Sequence, residues 1–300
     1  MKNILITGGS GMIGKRLTEI LLQEGYNVAW LSRKESINSN IKIFKWDIQK
    51  NFIDSEGIKW ADAIINLAGE TIAEKRWTEK RKKEIIESRT QSTALLKKYL
   101  NSTENKIQTI VAASAIGYYG EVNELVNENT SPGKGFLSES CVKWEAATKT
   151  LKNEAIRLIT LRIGIVLSPR GGALKELTKT IPFAIAPILG NGEQIYSWVH
   201  IDDVCNMILF ALQHKNINGT YNCVAPNPIT QNELMKSFLK HAKKKAILFP
   251  VPPFILKLML GEMADTVLVS QNISCSKIEK AGFGFSYRHI DFALKDLIRQ

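Results

Sequence analysis

The sequence predicts an α/β fold, a doubly wound parallel sheet with helices on both faces, followed by a smaller C-terminal unit. Three observations predict it. Short apolar runs alternate six times with stretches of helical period between Ile4 and Ile163. Glycines stand at a three-residue spacing, Gly8, Gly11 and Gly14, directly after the first of those runs. Past residue 168 the alternation gives way to irregular chain broken by Pro169, Pro182, Pro187, Pro226, Pro250, Pro252 and Pro253.

The first run, Ile4 to Ile6, has the character of a strand buried on both faces. After the glycines, Leu17 to Leu22 has helical period. Strand, glycine turn and helix in that order form the context of the Rossmann dinucleotide fingerprint. Gly8 allows the tight turn, Gly11 lets the backbone approach a pyrophosphate, and Gly14 lets the helix pack closely on the sheet. The first-turn amides, those of Met12 and Ile13, then face a diphosphate at the positive end of the helix.

The second strand, Asn27 to Leu31, ends in Ser32-Arg33-Lys34. Arg33 lies 19 residues beyond Gly14, where a site for NAD places an acid against the ribose 2′-hydroxyl. Ser32 and Arg33 suit a 2′-phosphate instead, which favours NADP. The third strand, Ile41 to Phe44, leads to Asp47, an acceptor for an adenine amino group, and to Ile48 flanking the ring. The fourth, Asp62 to Asn66, runs into Leu67-Ala68-Gly69-Glu70, where the backbone passes close to a cofactor ribose.

Residues 74–100 read as a long charged helix. Thr78 is its expected N-cap, with a capping box left incomplete by Arg81. Ile85, Ile86, Arg89, Thr93 and Leu96 share a face, so Arg89 requires an anionic partner. Glu84 and Arg89 are placed beside the cofactor; the alternative is an intrahelical Glu–Arg pair. Residues 79–100 are also the expected seam of a homodimer. The fifth strand, Gln108 to Ala113, ends in Ser114 through Gly120, and Ser138 to Leu151 forms a helix. The sixth, Ile159 to Ile163, passes through Gly164 to Ile165 at the cofactor. Further on, Trp198 to Val204 joins strand to helix with Asp202 as N-cap, and Tyr221 to Val224 is a last strand. Residues 1–168 and 195–225 are therefore expected to form the nucleotide-binding domain. Residues 169–194 and 226–300 form a substrate-binding cap.

Composition narrows the function classes. At 44% hydrophobic and 23% charged, the 300 residues have an ordinary globular balance. No apolar run reaches the ~18 residues of a membrane span. The N-terminal Met-Lys-Asn-Ile-Leu-Ile meets glycines where a signal peptide has its apolar region, so a cytoplasmic location is expected. Cys141, Cys205, Cys223 and Cys275 are widely spaced, which reads as free thiols and no metal site. A net charge of +11 favours anionic partners. No zinc-finger spacing or aromatic RNA-binding motif accompanies it, so nucleic acid is not favoured.

Together these residues resemble the extended short-chain dehydrogenase/reductase superfamily. The matching pieces are Thr7 through Gly14, Asn66-Leu67-Ala68-Gly69, Ser114 through Gly120 and Val199 through Val204. The chain is similar, more closely, to the atypical "epimerase family" branch, the YfcH-like proteins. That likeness rests on Arg76-Trp77-Thr78, Ser88-Arg89, Gly117-Tyr118-Tyr119-Gly120, Trp144-Glu145 and a tail with Gly261-Glu262-Met263 and Gly282-Phe283. The resemblance implies an NADP-binding Rossmann fold and leaves the substrate open.

The superfamily's usual catalysis uses Ser or Thr with Tyr and Lys in Y-x-x-x-K. In the matching register this chain has Cys141 and Glu145. A positioned acid–base group contributes on the order of 10²–10⁴ in rate, so the exchange matters. Ser114, Tyr118 and Glu145 are the remaining catalytic candidates. Their alternatives are packing beneath the sheet for Tyr118 and Tyr119, and for Glu145 a contact to Arg89 or another cation. His200 reads as a structural hydrogen-bonding group. Two functions remain: an NADP-dependent oxidoreductase or epimerase-like enzyme for a small anionic or sugar-like substrate, and a catalytically silent NADP-binding sensor or partner-binding protein.

Overall fold

The computed structural model describes residues 1–33, 41–72 and 75–299; Lys34 at the second strand end and Glu74 at the helix start lie outside them. The chain opens with β1 (Asn3–Thr7), α1 (Met12–Gln23), β2 (Asn27–Ser32) and β3 (Lys42–Asp47). β3 turns back through β4 (Phe52–Ile53) into α2 (Ser55–Trp60) and β5 (Ala63–Asn66). The long α3 (Glu79–Ser102) starts later than its charge pattern implied, because Thr78 accepts the Arg81 amide as N-cap. β6 (Thr109–Ala115) then ends in a 3₁₀ turn over Ile116–Tyr119. β7 (Val122–Val126), α4 (Phe136–Lys149), β8 (Arg157–Ile163) and β9 (Ile165–Leu167) follow.

Past that point the elements shorten: α5 (Ala173–Thr178), β10 (Ile185–Leu189), β11 (Ile195–Tyr196) and β12 (Trp198–His200). α6 (Ile201–Gln213) and β13 (Gly219–Cys223) restore the earlier alternation. The remainder runs β14 (Ile229–Thr230), α7 (Gln231–Ala242), β15 (Ile247–Val251), α8 (Pro253–Leu260), α9 (Ala264–Leu268), β16 (Gln271–Ile273), α10 (Ser276–Lys280) and α11 (Ile290–Leu297). No helix among the described residues is long and apolar enough to cross a membrane.

Eight strands form one sheet in the order β13-β8-β6-β5-β1-β2-β3-β4. Every neighbouring pair is parallel except the β3–β4 hairpin. This is the doubly wound order with β13 appended beyond β8. Side-chain alternation divides the core between two faces. Ile4 and Ile6 pack with Leu17, Leu21 and Val204 on one face. Leu5 packs with Ile58, Leu95 and Leu96 on the other. The strand order reverses between β1 and β5, so a crevice opens beyond Thr7 and Asn66, at the carboxyl ends of the strands.

One cap differs from expectation. The N-cap of α6 is His200, whose Nδ1 accepts the Asp202 amide at 3.1 Å. Asp202 cannot serve, because its carboxylate is held bidentately by Arg16 at 2.6 and 3.0 Å. His200 is buried and stacks on Tyr287 at 3.8 Å, the structural role expected of it. Burial holds its pKa below the ordinary histidine value, against the pull of Asp202 and Asp296.

Candidate functional site

The glycine turn sits at the crevice. Gly8 has φ +72°, the left-handed region that favours glycine, and a Cβ there would lie 2.9 Å from the Leu67 carbonyl carbon. A Cβ on Gly14 would stand 2.4 Å from the Gly8 oxygen and 2.7 Å from the Gly9 Cα. Gly14 therefore packs α1 against the turn itself, not against the sheet as its spacing suggested. Gly9, which the motif spacing passes over, is equally constrained: its Cβ would meet the Trp30 ring at 2.4 Å. Gly11 differs from all of these. Its Cβ would approach only the Gly8 oxygen, at 3.2 Å, and otherwise face open space. No side chain caps α1 at Gly11, so among the described residues the first-turn amides, Met12 and Ile13 among them, have no side-chain acceptor from the N-cap. Met12 lies beside the loop at Gly172, where an added Cβ would meet its Cε at 3.4 Å.

Across the crevice, Thr7 Oγ1 donates to Asn66 Oδ1 at 2.7 Å and accepts the Ala68 amide at 3.1 Å. Asn66 in turn donates to Thr93 of α3 at 3.3 Å. These buried bonds fix Leu67 and Ala68 beside the turn. Gly69 leaves room for Arg89, since a Cβ there would lie 3.0 Å from the Arg89 guanidinium carbon. The other side of that guanidinium faces the Trp144 ring at 4.8 Å. Its donors go to the Ile85 and Glu70 carbonyls at 2.9 and 3.0 Å. Among the described residues, the partners of Arg89 are carbonyl oxygens and an aromatic face. Burial lowers its pKa. Glu84 pairs with Arg81 at 3.1 Å, not with Arg89. Arg81 also reaches Glu70 at 3.3 Å and the Thr71 carbonyl at 2.6 Å, which ties the loop after β5 to the start of α3.

The three catalytic candidates separate. Ser114 Oγ donates to Glu145 Oε1 at 2.8 Å. Both oxygens of Glu145 accept from Arg162, at 2.8 and 2.9 Å, in a pair buried on both sides. Arg162 continues to Tyr119 Oη at 2.9 Å, and Tyr119 donates to Asn222 at 2.7 Å. Burial opposes the charge on Arg162, but the Glu145 carboxylate outweighs it and raises the guanidinium's pKa above its ordinary value. Ser114 and Glu145 are therefore committed to a structural network spanning β6, α4, β8 and β13. Tyr118 stands apart. It is half-buried, its ring lies 3.4 Å from the Arg162 guanidinium carbon, and no hydrogen bond among the described residues engages its hydroxyl. Burial first, then Glu145, push the Cys141 thiol up to about 11.

The remaining expected cofactor residues line the carboxyl edge of the sheet. Ser32 ends β2 and Arg33 follows it, exposed. Asp47 accepts the Gln49 and Lys50 amides at 3.0 and 3.1 Å, so one carboxylate oxygen already closes a local turn. Ile48 packs half-buried against the Leu5 face of the core. Ile165 is held in β9 by the Ser197 carbonyl. Sequence reasoning missed Arg162, Asn222 and Glu70. For Arg162 a signal existed: an arginine between Leu161 and Ile163 in an apolar strand requires a buried counter-charge.

Residues 4–223 match the NAD dependent epimerase/dehydratase family, and residues 251–297 match a domain of unknown function, DUF1731. The epimerase family protein SAR0825 of Staphylococcus aureus (strain MRSA252) is 35% identical over 302 residues, covering 99% of each chain. The epimerase family protein YfhF of Bacillus subtilis (strain 168) is 32% identical over 300 residues, covering 99% of this chain and 98% of its own. The crystal structure of human epimerase family protein SDR39U1 (isoform2) with NADPH superposes with a TM-score of 0.90 at 28% identity, covering 99% of both chains. A UDP-glucuronic acid 4-epimerase from Bacillus cereus, at 20% identity and a TM-score of 0.81 over 99% of this chain and 98% of its own, shares the fold.

Proposed function

The chain belongs to the NAD dependent epimerase/dehydratase family, and from that premise we propose that it binds NADP(H) as an oxidoreductase or epimerase-like enzyme of the extended short-chain dehydrogenase class. The observation that carries the reading is the cradle at Gly8, Gly11 and Gly14. Two of these glycines are required by the fold, whereas Gly11 keeps open a space that the fold itself does not use. A diphosphate fits there, because the uncapped start of α1 offers N–H donors and a favourable dipole. Arg33 would hold the 2′-phosphate at the end of β2, with Ser32 beside it, and the NADPH-bound SDR39U1 structure supports the same preference. Leu67, Ala68 and Ile165 would flank the ribose and nicotinamide, and Asp47 and Ile48 the adenine.

When bound, a nicotinamide supplies hydride transfer to or from carbon. The chain's own part is the proton. Tyr118 is the candidate to deliver it to a substrate oxygen, since among the described residues no hydrogen bond engages its hydroxyl, whereas Ser114 and Glu145 are both engaged. The Arg162 guanidinium against its ring would stabilise negative charge developing on the phenol. A small anionic or sugar-like substrate suits the net charge of +11. A second reading, the silent NADP(H)-binding sensor, is favoured by one observation: Ser114 and Glu145 are both spent in the buried Arg162 network.

Fluorescence titration with NADPH and NADH, followed by a carbonyl-metabolite screen, tests both readings. Tighter NADPH binding that weakens in Arg33→Ala is the expected result; equal affinities, or no change in Arg33→Ala, refute the 2′-phosphate assignment. Turnover abolished in Tyr118→Phe supports the enzyme. Turnover that survives Tyr118→Phe overturns the role of the phenol, and tight binding without turnover on any substrate favours the sensor.

A further inference from the structure

Among the described residues thirteen large apolar side chains are exposed, and seven of them fall within residues 183–185 and 247–259. None of the thirteen lies on α3, the expected dimer seam. The clustering has a structural cause. β10 and β15 form a two-stranded parallel ribbon with Ile185 opposite Ile247 and Pro187 opposite Phe249. Paired residues share a face, so this one turns outward while Ala186 and Ile188 are buried beneath it. α8 leaves β15 directly and presents Phe254 and Leu258 one turn apart, with Leu256 buried on its inner side. Phe183, Ile247, Phe249, Phe254, Leu258 and Met259 are exposed by 56% to 77%. A patch of this kind marks an interaction site.

Its charge identifies the partner. Lys243, Lys244 and Lys245 immediately precede β15, are exposed, and pair with no carboxylate among the described residues. Lys257 lies on α8 between Phe254 and Leu258, paired with Asp265 at 3.5 Å, so the unpaired charge is that of the 243–245 run. A cavity of about 410 Å³ between α5, α7 and α11 has the same mixed chemistry, with Ile181, Phe238 and Leu297 beside Lys175 and Lys244. We propose that the β10–β15–α8 face docks on an anionic lipid bilayer, its apolar side chains entering the acyl boundary and its lysines meeting the headgroups. A second copy of the chain fits the face less well. It would bring a like-charged lysine run to the contact, and Pro250 denies β15 a donor for strand addition.

Co-sedimentation of the full chain with vesicles tests this, using phosphatidylcholine alone and phosphatidylcholine mixed with phosphatidylglycerol. A lysine near an anionic membrane is worth roughly fivefold in partitioning. Binding to the anionic vesicles at ~0.1 M salt is expected to exceed binding to neutral ones by ~10-fold or more. The triple variant Lys243→Glu/Lys244→Glu/Lys245→Glu should lose ~100-fold, and Phe254→Ser/Leu258→Ser ~10-fold. Both variants should keep the wild-type melting temperature and NADPH affinity, since the substituted side chains are exposed. Absence of binding, equal binding to both vesicle types, or unchanged binding by the apolar variant overturns the proposal. A concentration-dependent dimer in light scattering that Phe254→Ser/Leu258→Ser dissociates assigns the face to a second copy and overturns it as well.

Discussion

Replacing Gly14 by Ala puts a Cβ 2.4 Å from the Gly8 carbonyl oxygen and 2.7 Å from the Gly9 Cα. Both neighbours are backbone, so neither can swing aside, and α1 must shift off the turn. Overpacking of this kind costs about 1–3 kcal/mol, offset in part by the ~1 kcal/mol preference of a helix interior for Ala over Gly. In a chain this long, each net 1 kcal/mol lowers the melting temperature by roughly 1–2 °C. Gly11→Ala asks for much less. Its Cβ meets one atom, the Gly8 oxygen, at 3.2 Å, and alanine at an N-cap costs less than ~1 kcal/mol relative to glycine. The same methyl, however, projects into the space assigned to the diphosphate. Losing one hydrogen bond to a charged group there is worth about 1.5–3 kcal/mol, or roughly 10- to 150-fold in Kd. Thermal melts and NADPH titrations of both variants separate the two effects. Gly11→Ala should melt near the wild type and bind far more weakly; Gly14→Ala should melt lower. Wild-type NADPH affinity in Gly11→Ala would refute the cradle, and wild-type melting of Gly14→Ala would refute the packing argument.

Three further outcomes follow from the buried chemistry. Arg162→Met leaves the Glu145 carboxylate buried without its bidentate partner, so it should destabilise by about 3–5 kcal/mol. Glu145→Leu/Arg162→Met should cost clearly less than the sum of the single variants in urea melts, and additivity would remove the pair's claimed coupling. All four cysteines are buried, with Cys141 raised to about 11 and Cys275 to about 12. Iodoacetamide at neutral pH should therefore leave the native chain unmodified by mass spectrometry and label it fully in denaturant. Rapid labelling of native Cys141 would contradict its assignment as an inert thiol. Asp62 is held at about 2: burial works against its charge, but the Lys2 and Asn3 amides and Lys106 outweigh it. Its contribution is present above the unfolded carboxylate value, ~3.9, and is lost as pH falls through about 2. The stability gap between wild type and Asp62→Ala should therefore be constant at neutral pH and narrow below ~4. A gap that widens on acidification would reverse the sign of the argument.

What could be read in the sequence is what short stretches of chain settle alone. The glycine turn, the strand ends at Ser32 and Asn66, the Thr78 cap and the alternation that makes the sheet all depend on neighbours a few residues away. The expectation that Cys141 and Glu145 stand in the register of Tyr and Lys is of the same local kind, since both fall on one helix. Even local signals failed where a distant partner competed. Asp202 has the character of an N-cap, yet Arg16, 186 residues away in sequence, takes its carboxylate and the cap passes to His200.

The sequence by itself determined the class of fold and the glycine turn at the end of the first strand. Tertiary structure decided which remaining groups are free to act. Strand order sets β8 beside β6 and β13, which brings Arg162 between Glu145, Tyr119 and Asn222 and ties Ser114 to Glu145. A buried charge must find its counter-charge wherever the fold delivers one, and no spacing in the chain records that meeting. The same holds for the apolar ribbon. Ile185 and Ile247 are 62 residues apart, and only their pairing makes them one surface.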